Sequence, residues 1–294
     1  MRKILTYILL FTAVQVFGQG GSTSYQYMFN PLPINPAFTG FFDAPSISSQ
    51  FRFQNLTIEG APANQNIGMH APIMKDQAGV GAYIWNETFG ATRNSGVYAA
   101  YSYKIQTRTL KLSAGLQGGV SMGEVDYASL NTRAPDDPVF NETNRILNPN
   151  FGVGFLAYND KFYFGASMPQ ILIDEELGND YRELIGVIGY GFELNPNLVL
   201  KPNMLARVGE VEIKEMIFNA TLTFKEVLGV GASYSLRNVA ALLVQLNVTD
   251  QLRLGYSAEG LVGDVSFHGV GSHEIALHYL FKKSRKNSFS PRYY

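Results

Sequence analysis

The sequence predicts an all-β protein, a transmembrane antiparallel β-barrel of about 14 strands with short periplasmic turns and longer extracellular loops. Apolar and polar residues alternate with period two over most of the chain from about Ser46 onward, and a helix cannot place such a pattern on one face. Charged residues make up only 16% of the 294 residues, aromatics 13%, and 29 are glycine. A soluble domain carries about 25% charged residues, so one face of many strands must turn to a non-aqueous medium. Finally, the connections between strands alternate between tight and long, which separates two rims.

The first element is a leader. Arg2 and Lys3 precede an apolar run from Ile4 to Val16, followed by Phe17-Gly18-Gln19-Gly20. This reads as a secretory signal peptide over residues 1–18, cut after Gly18. The run is too short for a spanning helix, which needs about 20 apolar residues. The chain has no cysteine, which excludes a lipoprotein anchor, disulfides and thiolate metal sites. A formal charge of -1 gives no support to nucleic-acid binding.

Residues 19–45 follow as an N-terminal box, with Gln26 to Gly40 at its centre. Pro31, Pro33 and Pro36 forbid a continuous helix or a central strand there. Tyr27, Met28, Phe29, Leu32, Ile34 and Phe38 are too apolar for a solvated linker. The expectation is an extended segment packed against something, a plug or a collar at the periplasmic mouth.

The barrel itself spans 46–281, with strands expected to start near Ile47, Asn64, Val80, Val97, Leu110, Phe151, Phe162, Leu184, Leu198, Lys214, Leu228, Val239, Leu252 and His273. Between Leu110 and Gly123, one face carries Leu110, Leu112, Ala114, Leu116, Gly118, Val120 and Met122. The other carries Lys111, Ser113, Gly115, Gln117, Gly119, Ser121 and Gly123. Tight connections fall at Gln106 to Thr109, Asn159 to Lys161, Asn195 to Asn197, Lys225-Glu226 and Thr249 to Gln251. Long ones fall at Ala128 to Pro149, Pro169 to Glu183 and Gly260 to Ser272. An even strand count places both termini at the short-turn, periplasmic rim. Gly229, Gly231 and Ser233 show how small inner residues leave room for the segment from Gln26 to Gly40. Residues 282–294 form a basic, aromatic tail, in which Lys282 to Lys286 and Phe289 suggest docking at the periplasmic rim.

The box closely resembles that of the PorP/SprF family, outer-membrane proteins of the Bacteroidetes type IX secretion and gliding machinery. The residues that carry the likeness are Tyr27, Met28, Phe29, Asn30, Asn35, Pro36, Ala37, Phe38 and Gly40, with mild departures at Pro33, Phe38 and Thr39. Further stretches match in order: Gly60-Ala61-Pro62, Asn150 to Gly154, Asp160 to Tyr163, Gly271-Ser272-His273-Glu274-Ile275, and the ending Ser290-Pro291-Arg292-Tyr293-Tyr294. The resemblance implies a non-enzymatic barrel in the outer-membrane lipid, with these motif residues as plug or partner contacts. Some members couple to periplasmic and lipoprotein components of the apparatus. Others serve one secreted adhesin carrying a C-terminal sorting domain, and the multiple copies in many Bacteroidetes favour this dedicated role. A small-molecule channel or hydrophobic-substrate transporter with an N-terminal plug is the alternative.

No catalytic, cofactor-binding or metal-ligating residue is assigned. Gly119-Val120-Ser121-Met122-Gly123 fits the G-x-S-x-G pattern, but a nucleophile elbow needs a strand-to-helix turn and this run continues an alternating strand. An outer-membrane lipid hydrolase would need Ser121 beside a histidine. Of His70, His268, His273 and His278, no two have helical metal spacing, and the last two should point to opposite faces of a strand. His273-Glu274 is expected to fix the barrel seam or a rim contact. Arg52, Lys104, Lys111, Lys201, Arg207 and Arg253 outnumber Glu259 and Glu274 on the expected inner face. They describe either a solvated lumen with local ion pairs or a basic interior holding an acidic plug. Tyr, Phe and Trp85 near strand ends are expected in interfacial girdles.

Overall fold

The computed structural model describes residues 23–126, 143–173, 182–210, 212–262 and 271–281. Among them the strands are β1 (Ser46–Phe53), β2 (Ala63–Ile73), β3 (Ala78–Phe89), β4 (Thr92–Gln106), β5 (Lys111–Asp126), β6 (Thr143–Tyr158), β7 (Phe162–Met168) and β8 (Leu184–Tyr190). They continue with β9 (Phe192–Asn195), β10 (Leu198–Val208), β11 (Ile213–Phe224), β12 (Leu228–Ser235), β13 (Val239–Asn247), β14 (Leu252–Leu261) and β15 (Ser272–Leu280). All pairings are antiparallel. β8 and β9 are halves of one wall strand, since both lie against β10. Last pairs with first through β15 and β1, and β10 with β11, so the sheet closes as a ring of 14 wall strands.

Closure is what hydrocarbon demands, because an unpaired backbone group there costs several kcal/mol. Three prolines test the rule. Pro72 pairs with Gly79 of β3 beyond the point where β1 begins at Ser46. Pro149 pairs with Val120 of β5, while β7 joins β6 only from Val153. Pro202 faces Ala220 of β11, and on its other side falls the gap between β8 and β9. Each therefore has a ladder partner on one side only, where a residue without an N–H costs least. Pro202 also accounts for the broken strand.

β6 starts at Thr143, earlier than expected at Phe151, because β5 runs on to Asp126 and offers it a partner. Pro149 had masked that extension. The turns at 74–77, 107–110, 159–161, 196–197, 225–227 and 248–251 lie on one rim. At Lys225 and Glu226 both φ values are positive, 49° and 56°, as at the central positions of a type I′ turn, here closed by Val227 N–H on Phe224 O (2.9 Å). The ends of β1, β5, β7 and β14, from which the longer connections leave, lie on the other rim, as does the connection 54–62. The leader 1–18, the tail 282–294 and His268 fall outside the described residues.

Faces follow the alternation. Leu116 on β5 and Leu242 on β13 point outward and are 59% and 68% exposed, as suits side chains whose neighbours are acyl chains. Ser113, Gln117, Asn219 and Ser257 point inward and are buried. Leu242→Arg sets a charge against lipid and should cost about 2–4 kcal/mol near the midplane. Reversible urea unfolding in lipid vesicles measures that loss, and an unchanged midpoint would contradict the outward assignment.

Candidate functional site

The candidate site is the lumen, occupied by residues 23–45. The wall makes room with glycine. A methyl group at Gly68 would sit 2.6 Å from Asn30 Oδ1, and one at Gly165 2.9 Å from Asn35 Nδ2. At Gly79 it would overlap the Thr39 carbonyl, at Gly115 the backbone of Ala37, at Gly154 the Asn35 amide and at Gly255 the Gln26 amide. The bed therefore lies along β2, β3, β5, β6, β7 and β14. Gly229 and Gly231 instead face Thr221 and Gln245, so the expected bed on β12 is corrected.

The segment is not extended, as the sequence suggested, but a succession of turns. Tyr27–Phe29 and Pro36–Phe38 are short 3-10 helices. Inside a closed wall no sheet edge is free, so the backbone satisfies itself through i to i+3 bonds. Phe29 N–H donates to Gln26 O (2.9 Å), Thr39 N–H to Pro36 O (3.1 Å) and Phe41 N–H to Phe38 O (2.9 Å). Asn35 has the extended conformation that a residue before proline prefers (φ -151°, ψ 114°), and its side chain accepts from Ala37 N–H at 2.9 Å. Pro36 then occupies the first helical position, where its missing N–H costs nothing.

Wall side chains take the remaining backbone groups. Gln50 of β1 donates to Gln26 O (2.6 Å), Ser102 of β4 to Thr39 O (2.6 Å), Ser113 of β5 to Ala37 O (2.8 Å) and Ser167 of β7 to Ile34 O (2.6 Å). Lys104 Nζ donates to Gly40 O. In return Asn30 donates to Asn66 of β2 (2.7 Å), Asn35 to the Phe155 carbonyl of β6 (2.9 Å) and Tyr27 to Asn203 of β10 (2.5 Å). Gly40, at φ +65°, donates its N–H to His70 Nδ1 (3.1 Å), which leaves Nε2 to meet Ser46 Oγ (3.2 Å). Apolar contacts complete the fit. Phe38 stands edge-on to Phe41 and Tyr163, Met28 is buried in the same cluster, and Phe42 lies between His70 and His278.

Glu274 on β15 is fully buried and holds the head of the segment, accepting from Ser24 Oγ and from Tyr25 N–H (3.1 Å). Neighbouring His273 instead points outward, its Nδ1 2.7 Å from the Tyr256 hydroxyl, while His278 is buried inside. Ser272 opens β15, and a methyl at Gly271 would overlap the Glu259 carbonyl. Pro291, Arg292 and Tyr293 lie outside the described residues. Thr23 donates to Glu215 and accepts from Arg207 Nη1 (2.8 Å), near the long-loop ends of β11 and β10. The segment thus runs from the long-loop side down to the short-turn rim, where β1 begins. This corrects the expectation of a collar at the periplasmic mouth, while β1 begins and β15 ends at the short-turn rim, as the even strand count places them.

The inner charges also rearrange the sequence reading. Arg52 and Glu259 form a bidentate pair at 2.9 and 2.7 Å, and Arg207 pairs with Glu183. Residues 23–45 carry one carboxylate side chain, Asp43 near the short-turn rim, so the segment is not the acidic plug that a basic interior would hold. Arg253 instead lies over the Phe29 ring at 5.3 Å. Trp85 is not in an outer girdle but faces inward with Leu32, Tyr83 and Tyr98. Ser121 lies mid-strand and bonds the Tyr98 hydroxyl at 2.7 Å rather than an imidazole. Above the segment, a cavity of about 240 Å³ opens among Asn64, Trp85, Glu87, Glu183 and Arg207.

A closed, apolar-jacketed barrel whose lumen holds its own N-terminal segment defines a class, that of outer-membrane β-barrels. Comparison with known proteins narrows it. The family model for the type IX secretion system membrane protein PorP/SprF matches residues 16–279, and the chain belongs to that family. The Ralstonia pickettii toluene transporter TbuX shares the fold at 10% identity and a TM-score of 0.50, over 90% of this chain and 96% of that one. The Acinetobacter baumannii outer membrane protein Omp33 aligns at 11% identity and a TM-score of 0.49, over 83% of this chain and 100% of that one. No curated protein matches the sequence.

The glycine bed yields a prediction. Gly115→Leu forces the Ala37 backbone away and should destabilise the protein by about 1–3 kcal/mol, while residues 23–45 become cleavable by proteinase K. Gly118→Ala, with nothing within 4 Å of the added methyl, should change neither. Continued protection in Gly115→Leu would show that the bed does not hold the segment.

Proposed function

We propose that the protein is a plugged, non-enzymatic barrel of the type IX secretion system. It supports surface attachment or export of one dedicated adhesin with a C-terminal sorting domain, through its long-loop face and rim motifs. The observation that carries this reading is the gripped lumen. Hydrogen bonds reach residues 23–42 from β1, β2, β4, β5, β6, β7, β10, β11 and β15, an arrangement suited to a rigid platform rather than to an open pore. Family membership supports association with type IX components.

The second reading is transport of a hydrophobic substrate, the activity named for TbuX. That likeness extends to the fold alone, and Asn64, Asn66, Glu87 and Arg207 set polar and charged groups in the cavity that a hydrocarbon cargo would have to meet. In planar bilayers the intact barrel should show no steady conductance, whereas deletion of residues 23–42 should open stepwise channels. Steady current through the intact barrel would favour transport. In the native host, deletion of the gene should abolish surface display of one sorting-domain cargo while others are still secreted. Unchanged display of every cargo would refute the secretion role.

A further inference from the structure

We infer that the cavity on the long-loop side of the lumen segment is a binding site for a neutral saccharide. Its volume, about 240 Å³, corresponds to about eight waters at ~30 Å³ each, enough for at least one pyranose ring. The β2–β3 register sets Asn64 opposite Glu87 and Asn66 opposite Trp85, all on the inner face. Asn66 is engaged by Asn30. The Asn64 amide, the Glu87 carboxylate and the Trp85 indole N–H have no side-chain partner among the described residues. Across the cavity, Arg207 donates to Glu183 at 2.9 Å.

The chemistry of this lining selects the ligand class. A sugar hydroxyl both donates and accepts, and the lining offers donors and acceptors side by side: Asn64, Trp85 and Arg207 against Asn64, Glu87 and Glu183. The indole adds a flat apolar surface of the kind that matches the C–H face of a pyranose. A cation would meet Arg207, and an anion would meet Glu87 and Glu183. A neutral polyhydroxyl compound meets neither conflict. The site is independent of the secretion role, so failure of one leaves the other standing.

Trp85 is the chain's one tryptophan, so its fluorescence reports the site directly in the full mature protein in detergent. Maltotriose, cellobiose and diacetylchitobiose are the probes, with choline chloride and sodium phosphate as charged controls. A saturable change with at least one saccharide is expected, weakened about tenfold, the scale of one lost hydrogen bond, by Asn64→Leu and by Glu87→Leu. Heat-modifiable gel migration reports whether each variant keeps its barrel, and calorimetry on the unaltered protein tests binding without any variant. Silence across the three saccharides overturns the proposal, as does a response to choline or phosphate instead. So does undiminished binding in folded variants. A response that emerges only after deletion of residues 19–22 assigns the cavity to the chain's own N-terminal residues and likewise overturns it.

Discussion

Every feature of this protein follows from one constraint: a backbone polar group in hydrocarbon must find a partner within the protein. The pairing of β10 with β11 and of β15 with β1 leaves no open edge. Proline is admitted only where a strand already lacks a neighbour on one side, at Pro72, Pro149 and Pro202. A wall built this way buries its apolar side chains against acyl chains rather than against one another. The inside is thus lined largely by serine, asparagine, glutamine and glycine, with separate apolar patches such as Tyr163, Ile185, Val187 and Leu205 and, elsewhere, Ile217, Ala241 and Leu243.

The N-terminal segment joins those patches into a core. Its rings, Tyr27, Phe29, Phe38 and Phe41, form the apolar centre, and its carbonyls receive the hydroxyl and amide donors of the wall. Recognition is mostly neutral to neutral, since Asp43 is the one carboxylate or amine side chain in residues 23–45. The ion pairs of the lumen, Arg52 with Glu259 and Arg207 with Glu183, tie wall to wall or to a connection instead. Added salt screens exposed charges more than about 10 Å apart at ~0.1 M and buried ones much less, so it has little purchase on a segment held in this manner.

Most of the barrel was legible because period-two alternation, sparse charge and uneven connections report directly on a lipid-facing wall. Its limits show where tertiary context overrides pattern. Pro149 concealed the first half of β6, since a proline breaks a strand signal unless one knows that only β5 is beside it. The glycines at 229 and 231 looked like a vacancy, yet adjacent strands fill it with Thr221 and Gln245. Of the useful glycines, 68, 79, 115, 154 and 165, only Gly115 was assigned to a face by the alternation. Which of them meet the segment depends on how the ring is arranged around it. Trp85 read as an interfacial anchor because alternation alone does not say which face of β3 meets lipid: Tyr83, Trp85 and Phe89 share one face, and Val80 and Ile84 lie on the other.

The path of residues 23–45 from one rim to the other has a consequence for biogenesis. A finished hydrogen-bonded cylinder admits nothing sideways. The peptide must be wrapped as the staves come together, or else be threaded end-on through a mouth past Phe42, which is wedged between two imidazoles. Assembly of the wall and capture of its filling are therefore a single kinetic problem, and whatever machinery inserts the staves inherits it.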